Sequence, residues 1–124
     1  MIKPNFLVLT TINPINSSIK KLIEQTDFNL IIVGDKKTPK YPEGNFEFLD
    51  MYKQKKLPLK SIETCPYNSY QRKNIGYLYA ISKGAEIIAE TDDDNYPLSD
   101  WAKNIEFTPK KTKLVLEPKI FNVY

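Results

Sequence analysis

Histidine is absent from this 124-residue sequence, and cysteine occurs once, at Cys65. Without histidine the chain lacks the commonest general base and the usual zinc ligand, which argues against zinc hydrolases and Ser-His-Asp hydrolases. A single cysteine excludes an intramolecular disulfide and is typical of a reducing compartment. The phosphate-binding P-loop and the GxGxxG motif are missing as well, so the sequence does not indicate a Rossmann dinucleotide cofactor.

Long hydrophobic runs are also missing. No apolar segment reaches the length of about 20 residues that a membrane-spanning helix needs, so the sequence predicts no transmembrane segment. The first residues lead directly into an apolar run at 6–9 and lack the pattern of a cleavable signal peptide, so we expect a cytoplasmic protein. The net charge of +3 is small. Without an RNP, zinc-finger or helix-turn-helix pattern, we expect no nucleic-acid partner.

What the sequence does contain is an alternation of apolar runs and amphipathic segments. Residues 6–11 and 28–33 are apolar runs of strand length and predict two buried strands. Between them, residues 18–25 have helical spacing, and Asn16 or Ser17 is suited to cap that helix. A strand–helix–strand unit implies a parallel pair with a right-handed crossover. The sequence therefore predicts an α/β fold with a mostly parallel sheet flanked by helices.

The remaining segments predict shorter elements within one domain of residues 1–124. We expect a loop at 36–45, a short strand at 46–49, a weak helical turn at 51–57, a buried strand at 87–89, a short helix at 98–105 and a strand at 113–117. The clearest helix opens at Asn68, which is suited to be its N-cap with Gln71 as the capping-box partner. Gly84 is expected to end that helix.

Three consecutive carboxylates, Asp92, Asp93 and Asp94, follow the strand at 87–89. Adjacent like charges repel and must stay hydrated. Mg²⁺ and Mn²⁺ favour hard oxygen ligands, and Mg²⁺ is often shared with the phosphates of a substrate. The triplet therefore favours a metal–diphosphate site, with an acidic turn as the alternative. An EF-hand is excluded because Pro97 stands where its glycine is needed.

Other polar residues are predicted to lie at the same edge of the sheet. Strand C-termini and helix N-termini meet at one edge of a doubly wound sheet, and ligands bind there. The residues are Thr11 and Asn13 after the first strand, Asp35 and Lys36 after the second, and Arg72 and Lys73 at the start of the main helix. Thr11 and Asp35 also have ordinary alternatives, as a strand residue and a turn residue.

The two cations at the start of the main helix point to an anion. Positive side chains in a first helical turn oppose the helix dipole unless an anion lies against them. Arg72 is therefore expected to bind phosphate or to order the Asp triplet, because its planar guanidinium suits both. For Lys73, the alternatives are an anion, water or a nearby carboxylate.

Four segments carry a resemblance to a known family. TTINP at 10–14, VGDKKTP at 33–39, PYNSYQRKNIGYLYA at 66–80 and ETDDDN at 90–95 resemble the STELLO-type glycosyltransferase family in content and order. The resemblance implies a Rossmann-like GT-A fold, a nucleotide-diphosphate sugar donor and a divalent metal, Mn²⁺ or Mg²⁺. The triplet then corresponds to the Asp-x-Asp element of such enzymes.

The resemblance also implies roles for individual residues. Asp92 would lie by the ribose or sugar, Asp94 would bind the metal together with Asp92, and Asp93 would support them. Thr11 and Asp35 would line the nucleoside pocket. Arg72 would help hold the diphosphate or the acidic loop. From their place at the edge of the sheet, Asn13, Lys36 and Lys73 are expected to complete the substrate site.

The predicted function is therefore a metal-dependent glycosyltransferase, or its donor-binding half, that transfers a sugar to an unknown acceptor. Because such enzymes need a second half for the acceptor, we expect a homo-oligomer or a partner to supply it. One alternative is a non-catalytic nucleotide-sugar-binding or regulatory module. The other is a sugar nucleotidyltransferase, which uses the same combination of metal and phosphates. No catalytic base is assigned.

Overall fold

The structure, a computed structural model, describes residues 4–102 and 109–111. A four-stranded sheet forms its centre, and every strand pair in it is parallel. The strands are β1 (Asn5–Thr11), β2 (Asn29–Gly34), β3 (Glu47–Leu49) and β4 (Ile87–Glu90), in the spatial order β3-β2-β1-β4. This arrangement confirms the predicted α/β fold with a parallel sheet.

Three α-helices and two short 3-10 turns connect the strands. The helices are α1 (Ser17–Gln25), α2 (Met51–Lys56) and α3 (Lys73–Ser82), and the 3-10 turns cover Lys60–Ile62 and Tyr70–Arg72. The predicted helix at 98–105 runs beyond the described residues, and the predicted strand at 113–117 lies outside them. Across the described ranges, no helix combines the length and the apolar character that crossing a membrane requires.

The two faces of the sheet are buried by different helices, because side chains alternate along each strand. One apolar cluster joins Leu7, Leu9, Leu30 and Ile32 to Ile19 and Leu22 of α1. The other joins Phe6, Val8, Ile31 and Val33 to Ile75 and Ala80 of α3. The result is a three-layer arrangement in which the carboxyl ends of the strands point to one common edge.

The start of α1 is confirmed, whereas the start of the main helix differs from the prediction. Asn16 caps α1, and its Oδ1 accepts a hydrogen bond from the backbone N–H of Ile19 at 2.9 Å. Asn68 was expected to cap the main helix, but it has a φ of 50° and lies outside it. Ser69 is the cap instead, because its hydroxyl accepts from the N–H of Gln71 at 3.2 Å. The cap begins a 3-10 turn, and α3 follows that turn.

The end of α3 agrees with the prediction, whereas the burial of β4 does not. Gly84 follows the helix with a φ of +83°, a left-handed conformation that glycine adopts without steric penalty, so the predicted stop is confirmed. Strand β4 was expected to be buried, but Ile87, Ile88 and Ala89 are only half-buried. The reason is that, within the described sheet, β4 pairs with β1 alone.

Candidate functional site

A cleft of about 400 Å³ opens at the carboxyl edge of the sheet. Its walls come from the segments after β1, after β2, before α3 and after β4. The lining residues are Thr10, Thr11, Ile12, Asn13, Asp35, Lys37, Asn68, Ser69, Tyr70 and Asp93. Four residues that the sequence singled out, Thr11, Asn13, Asp35 and Asp93, therefore share one cleft, while their roles in binding stay predictions.

Asp93 is hydrogen-bonded to the segment that joins the end of β1 to the start of α1. Its Oδ2 accepts hydrogen bonds from the hydroxyl of Thr11 and from Nδ2 of Asn13, the latter at 2.8 Å. Nδ2 of Asn16 donates to the backbone carbonyl of Asp93 at 2.7 Å. The residue that caps α1 thus also holds the acidic loop in place. The carboxylate of Asp93 is in this way aligned along one wall of the cleft.

Asp35 lies in the opposite wall and is 5% exposed. Its Oδ1 accepts from the N–H of Lys36 at 2.7 Å, and its Oδ2 accepts from the N–H of Ser69 at 3.4 Å. Thr38 closes the turn, since its hydroxyl accepts from the N–H of Asp35 at 2.7 Å and donates to the carbonyl of Thr11 at 2.6 Å. Asp35 therefore stabilises the turn, which was the ordinary alternative to a role in binding. It also lines the cleft.

A second cleft of about 360 Å³ adjoins the first, and Tyr70 lines both. Nζ of Lys73 donates to Oδ1 of Asp92 at 2.9 Å and lies 3.9 Å from Oε2 of Glu90. The hydroxyl of Tyr77 donates to Glu90. Of the alternatives for Lys73, the structure shows the pairing with a nearby carboxylate. Glu90 and Tyr77 were missed, although Glu90 ends a strand and Tyr77 follows Lys73 by one helical turn.

Three of the predicted residues lie outside the lining of both clefts. The ammonium of Lys36 lies 3.9 Å from the centre of the Tyr67 ring, and Lys37 lines the cleft in its place. Arg72 is fully buried, with 0% of its surface exposed. Asp94 is exposed and belongs to neither lining.

The acidic triplet is the segment for which the sequence predicts a metal site. In residues 4–102 and 109–111, no group of three or more His, Cys, Asp and Glu side chains is arranged to hold a metal ion. One oxygen of Asp92 is already paired with Lys73, whereas Asp94 is exposed to solvent. Mg²⁺ needs only one or two carboxylates when substrate phosphates complete its shell. A metal held by Asp92 and Asp94 together with substrate phosphates stays a prediction.

Tyr41 supports the wall of the cleft from behind. Its ring stacks on Phe48 with the centroids 4.5 Å apart, and its hydroxyl donates to the carbonyl of Asn13 at 2.6 Å. Burial raises the pKa of the Tyr41 phenol above its ordinary value of 10.0, a hydrogen bond with Thr11 lowers it by less, and the charge of Asp93 adds to the rise. Tyr41 thus stays protonated and serves as a hydrogen-bond donor.

The fold and the cleft define a Rossmann-like α/β fold with a polar cleft at the carboxyl edge of its sheet. The chain is similar to two plant proteins of Arabidopsis thaliana. The probable glycosyltransferase STELLO1 is 33% identical over 76 residues, which are 60% of this chain and 10% of the relative. The probable glycosyltransferase STELLO2 is 30% identical over 91 residues, which are 71% of this chain and 12% of the relative.

These matches confirm the resemblance to the STELLO-type family over a limited region. The aligned regions span only 10% and 12% of the lengths of the two curated relatives. No protein-family model matches the chain.

Proposed function

We propose that this chain forms the donor-binding part of a metal-dependent glycosyltransferase and holds a nucleotide-diphosphate sugar at the carboxyl edge of its sheet. The observation that carries the proposal is the convergence of Thr11, Asp35 and Asp93 on one cleft of about 400 Å³. That volume is in the range of small-molecule sites, and the carboxyl edge is where open α/β sheets bind ligands. Both similar plant proteins are named as probable glycosyltransferases.

The nucleoside would lie in the main cleft. Asp35 and Asp93 offer carboxylate oxygens that accept hydrogen bonds from the N–H groups of a base or the hydroxyls of ribose. Tyr70 is 78% exposed, so its ring offers a face on which a base can stack. Thr11 holds Asp93 through its hydroxyl, which fixes the carboxylate before the ligand arrives and so lowers the entropic cost of binding.

The diphosphate and the sugar would extend from the main cleft toward the second one. Lys37 supplies a cation within the main cleft, and Lys73 lies in the second cleft against Asp92. Asp92 and Asp94 would hold the metal, which, when bound, stabilises the charge that builds on a departing diphosphate. Tyr70 lines both clefts and lies at their junction, where the two ends of such a donor would meet.

Titration calorimetry with a panel of uridine and guanosine diphosphate sugars tests this proposal. We expect binding that strengthens with Mn²⁺ or Mg²⁺, and we expect Asp93→Ala to weaken it by roughly tenfold or more, since hydrogen bonds to a charged group contribute about 1.5–3 kcal/mol. Glu86→Gln is the matched control, because Glu86 is exposed at the opposite end of β4. Its affinity should stay within about twofold of the native value, as expected for an exposed charge.

The metal part of the proposal has a separate test. In Asp94→Ala we expect nucleotide-sugar binding to lose its dependence on the metal, while binding measured with a chelator stays at the native level. Equal affinities for the native chain with metal, with chelator and in Asp94→Ala would refute the metal role. Failure of the native chain to bind any member of the panel would refute the donor-binding function itself.

A further inference from the structure

Arg72 is a buried charge whose partners are neutral. Its side chain is 0% exposed. Nε and Nη2 donate to Oε1 of Gln54, the first at 3.2 Å, and Nη1 donates to the carbonyl of Cys65 at 3.1 Å. The guanidinium carbon lies 4.7 Å from the centre of the Tyr67 ring. Within the described part of the chain, no carboxylate lies within ion-pair distance of Arg72.

Gln54 explains why the partner is an amide. It is 0% exposed, and its Nε2 donates to the carbonyls of Gly34 at 2.7 Å and Leu49 at 2.6 Å. Its Oε1 accepts from Arg72. Only an amide supplies two donors and an acceptor in one side chain, whereas a carboxylate at this position would lose both donations. The hydrogen bonds of Arg72 are therefore satisfied while its charge is left uncompensated.

The charge of Arg72 lies behind the wall of the main cleft that contains Asp35. Gln54, which holds the guanidinium, binds the carbonyl of Gly34, and Gly34 directly precedes Asp35. The backbone N–H of Arg72 donates to the carbonyl of the cleft residue Ser69 at 3.1 Å, and the N–H of Ser69 donates to Asp35. Buried charges are ordinarily paired with an opposite charge. An unpaired buried cation beside a ligand cleft therefore needs a reason.

The negative charge of the cleft lining explains why an unpaired cation is useful behind it. Its lining contains two carboxylates, Asp35 and Asp93, and a single cation, Lys37. Lys73 adds little, because Asp92 already compensates its charge. A diphosphate entering these walls would meet net negative charge, which repels it. A fixed positive charge behind the wall that contains Asp35, in a medium of low dielectric constant, offsets that repulsion.

We propose that Arg72 favours an anionic ligand in the main cleft through its electric field, without touching the ligand. Gln54 is the positioning residue that holds the guanidinium there and leaves its charge unpaired. This inference rests on the proposed nucleotide-binding function. At an effective dielectric constant of about 20, unit charges about 10 Å apart interact strongly enough to change an affinity by roughly tenfold.

The test compares a nucleoside with its diphosphate, uridine with UDP and guanosine with GDP, by calorimetry at low salt and one fixed Mg²⁺ concentration. Arg72→Gln removes the charge, Gln54→Glu compensates it, and Arg72→Lys keeps it. We expect the first two variants to bind the diphosphate roughly tenfold more weakly and the nucleoside within about twofold of the native affinity. Arg72→Lys should keep the preference for the diphosphate.

Lys55→Gln is the matched control, because it removes one positive charge from an exposed position of α2. It separates the effect of Arg72 from a change in net charge, and its preference for the diphosphate should equal the native one. Thermal unfolding confirms that each variant is folded. Gln54→Glu retains an acceptor for Arg72 but loses the two donations to the carbonyls of Gly34 and Leu49, so its nucleoside affinity shows whether the cleft walls stay intact.

Three results would overturn the inference about Arg72. An unchanged preference for the diphosphate in Arg72→Gln and Gln54→Glu would overturn the inference while leaving the proposed function intact. Equal losses of nucleoside and diphosphate affinity would mean that the pair acts only by holding the cleft walls, which also overturns it. If the native chain binds neither the nucleoside nor the diphosphate, the proposed function fails and the inference fails with it.

Discussion

Gly76 allows α3 to lie directly on the sheet, and the cost of adding one methyl group there can be worked out from the structure. A Cβ atom at Gly76 would lie 2.5 Å from Cγ1 of Val8 and 2.7 Å from Cγ2 of Val33. Favourable contacts between carbon atoms lie at about 3.5–4.0 Å. Both valines are 0% exposed and belong to the two central strands of the described sheet, so neither side chain has free space into which it can move.

We therefore expect Gly76→Ala to destabilise the protein. Overpacking of a well-filled core usually costs about 1–3 kcal/mol. Alanine offsets part of this cost, because it favours a helix interior over glycine by about 1 kcal/mol. The close approach to two immobile side chains places the overpacking at the upper end of its range. The expected net loss in the free energy of unfolding is about 1–2 kcal/mol.

Urea unfolding followed by far-UV circular dichroism measures this loss. Ile81→Ala is the matched control, since it changes an exposed position of the same helix and should alter stability by less than about 0.5 kcal/mol. In the Val8→Ala background the cost of Gly76→Ala should fall by about 1 kcal/mol, because the removed methyl groups leave room. Unchanged or raised stability of Gly76→Ala, or strict additivity with Val8→Ala, would refute the packing argument.

Two further predictions concern the surroundings of the cleft. Asn16→Ala should cost about 1–2 kcal/mol in urea unfolding and weaken nucleotide binding, because it removes the helix cap and the bond to Asp93. Asn16→Asp keeps the cap and should retain stability but not affinity; retained affinity would contradict this account. The folded-state pKa of Tyr41 is raised above 10.0, so its contribution to stability is present below that pH and is lost as the pH rises through the folded-state pKa. Unfolding free energies measured at alkaline pH should therefore fall less steeply in Tyr41→Phe than in the native chain, and equal slopes would contradict the assignment.

The sheet and part of the lining of the main cleft could be predicted because both follow from short-range patterns. Apolar runs bounded by turn residues identified β1 and β2, and a capped amphipathic segment identified α1. Parallel strands bring their carboxyl ends to one edge, so Thr11 and Asp35 had to lie near each other. The structure places them in one cleft with Asp93.

The features that the sequence did not reveal depend on contacts between distant segments. Asn68 and Ser69 are both good capping residues, so the local pattern could not show that Asn68 takes a positive φ and leaves the cap to Ser69. Arg72 was expected to bind phosphate or to order the Asp triplet, because it lies in a first helical turn. Its burial depends on Gln54, which lies 18 residues earlier in the chain and carries no sequence signal for this role.

The acidic triplet shows why the charge pattern alone does not decide whether a metal binds. Each carboxylate is compensated in a different way within the described structure. Asp92 pairs with Lys73, Asp93 accepts hydrogen bonds from Thr11 and Asn13, and Asp94 is exposed to water. Repulsion within the triplet therefore does not by itself require a bound metal ion. The case for a metal depends instead on the phosphates of the ligand, which would bring more negative charge than Lys37, the cation in the lining of the main cleft, can balance.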